Sequence, residues 1–315
     1  MNYQKEEKSN LISKRNYLQI ANKTDKTSFP YLRLLKYSQN IFNSRLLNKF
    51  RFEIRRKKGL KREMNSFTRD NQILKYRNEK IANFLLKFGK SFGILFEKKT
   101  LLNNIELYDQ LFKNRPISDL NGGIGYNKGL ILYVLFCHYQ PRVSIESGVW
   151  RGFTTYLIDN AILDDSELYC FDINLSRNEF FSKKATYYEN DITLFSELDL
   201  SKVDIAFFDD HISMYERLKL CIDNKIGIVI LDDDLGLTQV HTDGNPPIPT
   251  ASMIFNYDEI PKKFEWVFNG ISYRADISNL SVDEIKKYYK YIPFPSLKEY
   301  TGYDNYSFAS LLLKK

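Results

Sequence analysis

Cysteine is scarce in this chain. Only Cys137, Cys170 and Cys221 occur in 315 residues, far apart and each inside an apolar run. That excludes a disulfide framework or a cysteine-based zinc site and points to a reducing compartment. Long apolar stretches are also missing. The longest, Gly129 to Cys137, is half of the roughly 18 residues that span a bilayer. The first residues are polar and charged, without the apolar segment of a secretory signal, so the expected location is the cytoplasm. No internal repeat occurs. No G-x-G-x-x-G stands after any strand-like run, which argues against a dinucleotide-binding oxidoreductase.

What is present is uneven. Residues 1–100 carry 25 Lys and Arg against 8 Asp and Glu, and residues 101–315 carry 21 against 31. The two regions are therefore read separately. Residues 1–30, rich in Lys, Asn, Ser and Thr, are expected to be disordered. Residues 31–115 read as a basic helical extension, with amphipathic stretches around Leu32 to Leu47 and Ile81 to Phe96. Between them, Arg51 to Arg62 holds seven basic residues and one acid. Such a region could pack on the main domain, meet an anionic membrane surface as a peripheral contact, or grip nucleic acid. The last reading lacks a recognised motif.

Residues 116–315 read as alternating strands and helices. Compact β-rich runs fall at Val143 to Glu146, Leu168 to Ile173, Ala185 to Tyr188, Val203 to Phe208 and Ile226 to Leu231. Helix-length sequence separates most of them. This is the pattern of an α/β, Rossmann-like, doubly wound sheet. Two further strands, Glu265 to Phe268 and Ile271 to Asp276, flank the hairpin signal Asn269-Gly270 and supply an antiparallel C-terminal strand. All five parallel strands end at or near acids: Glu146, Asp172, Asp191, Asp209-Asp210 and Asp232-Asp233-Asp234. The carboxyl ends of such strands frame the ligand crevice. Five acidic ends on one rim would repel each other unless some held hydroxyls, an amine or a cation.

After the first strand comes Gly148-Val149-Trp150-Arg151-Gly152, with Asp172 twenty residues beyond, where a carboxylate could accept ribose hydroxyls. Glu146 beside this loop suits a ligand with a cationic amine and no phosphates. The segment IESGVWRGFTTYLI, Ile145 to Ile158, resembles the first motif of class I S-adenosylmethionine-dependent methyltransferases in its E-x-G-x-x-x-G form. The resemblance implies that Glu146, Gly148, Trp150, Gly152, Asp172, Asp191 and Asp209 border the cofactor.

FFDDH, Phe207 to His211, and ILDDD, Ile230 to Asp234, are similar to the metal-binding pairs of cation-dependent O-methyltransferases, including sugar O-methyltransferases and their cephalosporin-hydroxylase-like relatives. This implies a divalent ion such as Mg²⁺ on Asp209 or Asp210 with Asp232 and Asp233. Asp210 and His211 are then the catalytic candidates, His211 as base. His211 could instead cap the helix that follows, near Ser213. His241 is expected in a surface turn, and Arg217 and Lys219 on a solvated helix face. Ser281 to Glu284 should open a helix to about Tyr291, and the Tyr-rich tail beyond should pack across the domain. The expected activity is O-methylation of a small-molecule, sugar or glycan hydroxyl, with a homo-oligomer left open. Its rivals are an RNA methyltransferase, which lacks the [DN]-P-P-[FY] motif, and a non-catalytic cofactor-binding protein.

Overall fold

The computed structural model describes residues 70–195, 197–303 and 308–315. The expectations for residues 1–69 lie outside the described residues. Helix α1, Asn71–Phe92, starts where Asp70 accepts the Gln72 and Ile73 amides at 2.9 and 3.0 Å, and stops at Gly93 with φ of +84°. These are ordinary cap signals. Its Phe84, Phe88 and Phe92 pack on the same core as helix α2, Lys98–Asn114, and helix α3, Tyr126–Tyr139. The aromatic face at 81–96 is therefore spent on internal packing, and one apolar core runs on both sides of residue 115.

The sheet comprises β1, Val143–Ser147; β2, Glu167–Phe171; β3, Ala185–Tyr188; β4, Ile205–Phe208; β5, Ile228–Asp232; β8, Tyr289–Pro293; and β9, Ala309–Lys314. Its order is β3-β2-β1-β4-β5-β9-β8. The first five strands are parallel, and β9 is antiparallel to both neighbours. Helices α1 to α3 and α4, Phe153–Ala161, cover one face. Helix α5, Met214–Asp223, and the short α6, Ala251–Asn256, and α7, Asp283–Tyr288, cover the other. A last short helix, α8, spans Lys298–Thr301. With both faces buried, β4 and β5 become continuous apolar runs, Ile-Ala-Phe-Phe and Ile-Val-Ile-Leu.

The strands differ from expectation in one respect. The Asn269-Gly270 hairpin forms, as β6, Lys263–Phe268, and β7, Ile271–Asp276, but it is a separate two-stranded sheet over its own small core. The antiparallel strand of the main sheet is β9, from the tail expected to pack across the domain. Leu311 and Leu312 bury against opposite faces, so β9 shows none of the alternation that marks a half-buried strand. Helix α7 is also shorter than expected. Val282 is its N-cap, without a side-chain cap bond, so the Ser281–Glu284 box does not form. The helix ends at Tyr288 because Tyr289 and Ile292 are drawn into the two cores as strand β8.

Pairing puts the strand ends level. Ser147 faces Phe171 and Phe208, Phe171 faces Tyr188, and Phe208 faces Leu231. Gly148, Asp172, Asp209 and Asp232 therefore follow in one row along the rim. Strand order reverses between β1 and β4, which is where open α/β sheets leave a crevice.

Candidate active site at the carboxyl rim

The crevice floor is the β1 turn. Gly148 has φ of +94°, and a Cβ there would run into the Asp209 carbonyl. Only glycine lets this turn lie directly against the β4 turn. Gly152, with φ of +82°, sits under Asn178 and Phe180 in the same way. Asp172 Oδ2 accepts the Val149 and Trp150 amides at 2.8 and 2.9 Å, and its Oδ1 accepts the Asn174 amide at 2.9 Å. Trp150 Nε1 donates to the Asn121 carbonyl at 2.8 Å, and the Arg177 guanidinium lies 4.7 Å from its ring. Gly123, Leu120, Gly148, Trp150 and Asp209 line a shallow cleft on the rim.

The acids separate into three groups. Glu146 is fully buried below the loop, where its Oε2 accepts the Thr155 hydroxyl at 2.6 Å and its Oε1 has no partner. Burial pushes its pKa up to about 8, so it is largely protonated at neutral pH.

Asp191 and Asp210 turn toward Arg217. This residue was expected on a solvated helix face, yet it is 1% exposed. Its Nη2 reaches Asp191 at 2.5 Å and its Nε reaches Asp210 at 2.8 Å. Asp210 also accepts the Ser147 hydroxyl at 2.6 Å and the Ile212 amide at 3.1 Å. Burial opposes the Asp191 charge, but Arg217 outweighs it and holds the carboxyl below its ordinary value. Lys219, from the same helix, does lie at the surface, paired with Glu284.

The third group is Asp209, His211 and Asp233, whose donor atoms all lie within 4.8 Å of one another. Burial and the charges of Asp232 and Asp233 hold Asp209 well above the usual carboxylate range. Burial and Asp232 likewise raise Asp233. His211 does not cap α5, whose N-cap Ser213 makes no side-chain cap bond. Its Nδ1 lies 3.2 Å from the Asn245 carbonyl and 3.7 Å from Asp233. His211 and Asp233 have φ of +56° and +55°, and Trp150 has +53°. Left-handed backbone at bulky residues is costly and gathers at functional sites.

Asp232 stays outside this group. Lys128, in the first turn of α3, approaches both of its carboxylate oxygens, at 2.5 and 2.6 Å, with both side chains buried. Burial lowers the lysine's pKa, but Asp232, Asp233 and Asp209 more than offset this and the net direction is up. Asp234 points inward to the Ser252 amide and the Tyr291 hydroxyl. His241 is exposed in the turn Leu237–Thr242.

Of the residues expected at the cofactor, Gly148, Trp150 and Asp209 line the cleft, while Asp172 braces its loop. Glu146 and Gly152 lie beneath, and Asp191 is engaged by Arg217. Of the expected metal ligands, Asp209 and Asp233 come together, whereas Asp210 and Asp232 are held by Arg217 and Lys128. Lys128 was missed, although its signal is present: it is the single Lys, Arg, Asp or Glu in the largely apolar YNKGLILYVLFCHY of α3.

No protein-family profile and no curated protein matches the chain. Among solved structures, the O-methyltransferase TomG of Streptomyces achromogenes, in complex with S-adenosylmethionine and involved in tomaymycin synthesis, is 14% identical. It aligns over 67% of this chain and 89% of its own at a TM-score of 0.37. The Podospora anserina methyltransferase PaMTH1, bound to S-adenosylhomocysteine, is 13% identical over 67% and 98%, with a TM-score of 0.34. An O-methyltransferase from Bacillus cereus, in complex with the same compound, is 9% identical over 75% and 97%, with a TM-score of 0.32.

Proposed function

We propose that the chain is an S-adenosylmethionine-dependent O-methyltransferase, assisted by a divalent ion and acting on a hydroxyl of a sugar, glycan or other small natural product. The observation that carries the reading is the meeting, at the switch between β1 and β4, of the Gly148 turn with the Asp209–His211–Asp233 group. A methyl donor and an activated hydroxyl must lie within bonding reach of each other.

The residues fit both groups. Gly148 and Gly123 leave the cleft floor without side chains, and Trp150 supplies an aromatic wall. Asp172 fixes the loop by accepting its amides at Oδ2 and lies on the rim, where Oδ1, with one amide bound, keeps a lone pair for a ribose hydroxyl. S-adenosylmethionine, when bound, supplies an electrophilic methyl group. Asp209 and Asp233 bring carboxylate oxygens within 4.8 Å of each other and of a His211 ring nitrogen, a donor set for a hard divalent ion such as Mg²⁺ or Mn²⁺. Such an ion supplies Lewis acidity that lowers the pKa of a hydroxyl.

His211 acts as the base. With Nδ1–H donating to the Asn245 carbonyl, the ring keeps its Nε2 lone pair for the acceptor's proton. Arg217 holds Asp210 in the β4 turn, between Asp209 on the cleft wall and His211. The acidic rim repels polyanionic acceptors and suits neutral or cationic ones.

Calorimetric titration with S-adenosylhomocysteine tests the reading. Micromolar binding, weakened about tenfold or more by Trp150→Ala, is expected. Absence of binding, with and without Mg²⁺, would remove it. Binding of the nucleoside without turnover across a panel of hydroxyl acceptors would instead favour a non-catalytic binding protein.

A further inference from the structure

Lys128 stands where helix physics does not want it. An ammonium in the first turn opposes the helix dipole, and α3 holds no other Lys, Arg, Asp or Glu. Burying it would cost several kcal/mol without a partner. Its position is explained by Asp232. The two carboxylate oxygens lie 2.5 and 2.6 Å from Nζ, the side chains are 7% and 3% exposed, and Asp232 Oδ1 also accepts the Asp233 amide at 2.8 Å. The contact joins helix α3 to the end of β5, across 104 residues of sequence.

Asp232 ends β5 level with Asp209 after β4, the place from which a strand-end carboxylate would reach a rim cation. Here the lysine occupies both of its oxygens. Three carboxylates, Asp209, Asp232 and Asp233, would then be balanced by one ammonium and one divalent ion together.

We propose that Lys128 is a built-in cation of this site: it binds Asp232 in place of a metal, withholds that carboxylate from the ligand set, and confines a divalent ion to Asp209 and Asp233. Lys128 is thus a positioning residue that sets how tightly the site binds its ion. The inference rests on the metal-assisted reading above and adds a claim about which carboxylates do the binding.

Mn²⁺ binding to the full chain, followed by the loss of the free-ion paramagnetic resonance signal, tests it without an acceptor. Lys128→Gln is expected to bind Mn²⁺ at least about tenfold tighter than wild type, because it frees a carboxylate and removes a repelling charge. Lys128→Arg, which keeps the charge, should stay within about threefold of wild type. A second variant covers the case in which Lys128→Gln does not fold. Asp232→Asn should weaken Mn²⁺ by less than about tenfold, whereas Asp209→Asn weakens it by about a hundredfold. Wild-type binding that Lys128→Gln leaves unchanged or weakens, or that Asp232→Asn weakens as much as Asp209→Asn, would overturn the inference and leave the metal reading standing. Absence of Mn²⁺ binding in wild type and all variants would overturn both. Binding by Lys128→Gln alone would support the built-in cation and count against a metal in the natural chain.

Discussion

Two acidic groups lie side by side on this rim and are treated in opposite ways. Asp191 and Asp210 share one buried guanidinium, with Ser147 and the Ile212 amide also donating to Asp210. Their charges are met by fixed partners, so they set the shape of the β4 turn. Asp209 and Asp233 face each other and His211, with the nearest ammonium committed to Asp232. Burial and mutual repulsion hold both carboxyls above their ordinary pKa, a cost that no fixed partner relieves. Identical side chains on neighbouring positions, Asp209 and Asp210, therefore have different tasks, decided by which way the turn after β4 points each one. Glu146, beneath the loop and away from these clusters, is likewise held protonated by burial.

The largest effect that would break this comparison is at Arg217. Arg217→Met leaves Asp191 and Asp210 without their common partner, and chemical denaturation should show a loss of about 4 kcal/mol. A loss under 1 kcal/mol would mean that the pair is not fixed as described.

Next comes Glu146. Its pKa in the folded chain, about 8, exceeds its ordinary 4.5. The folded state thus binds the proton more tightly, and the resulting stability is complete below about pH 4.5 and disappears as pH rises through 8. The slope is about 1 kcal/mol per pH unit between these limits. Glu146→Gln keeps a neutral side chain and should flatten that decline, read from denaturation midpoints between pH 5 and 8. An unchanged slope would show that Glu146 is ionised in the fold.

A smaller effect of opposite sign is expected at Asp209. In metal-free buffer, Asp209→Asn removes a carboxyl that burial, Asp232 and Asp233 all make costly to ionise, and should stabilise the chain by about 1 kcal/mol. Destabilisation would place Asp209 among the fixed structural acids. The smallest effect is at His241, whose exposed ring touches none of these groups. His241→Ala should leave stability within about 0.5 kcal/mol and Mn²⁺ affinity unchanged.

The parallel sheet was legible because β1 to β5 are short β-rich runs, each ending at or near an acid, and the glycine turn after β1 carried its own motif. The sheet's C-terminal half was not. The Asn269-Gly270 turn is a strong local signal, yet local signals do not say which sheet a hairpin joins. Leu311 and Leu312 bury on opposite faces and leave no alternation to read. Within the site, residue types were legible and partnerships were not. Nothing local distinguishes Asp209 from Asp210: Arg217, seven residues on, takes Asp210, and Lys128 takes Asp232 across 104 residues of sequence. A buried arginine looks like a surface one until its carboxylates are placed.

The difference between the two acidic groups is tested most directly by titrating Mn²⁺ into wild type, Asp209→Asn and Asp210→Asn. The expected result is binding by wild type, binding by Asp210→Asn within about threefold of it, and loss of about a hundredfold in Asp209→Asn. Binding lost in Asp210→Asn and kept in Asp209→Asn would contradict the account and return the cation to the acid that Arg217 now holds.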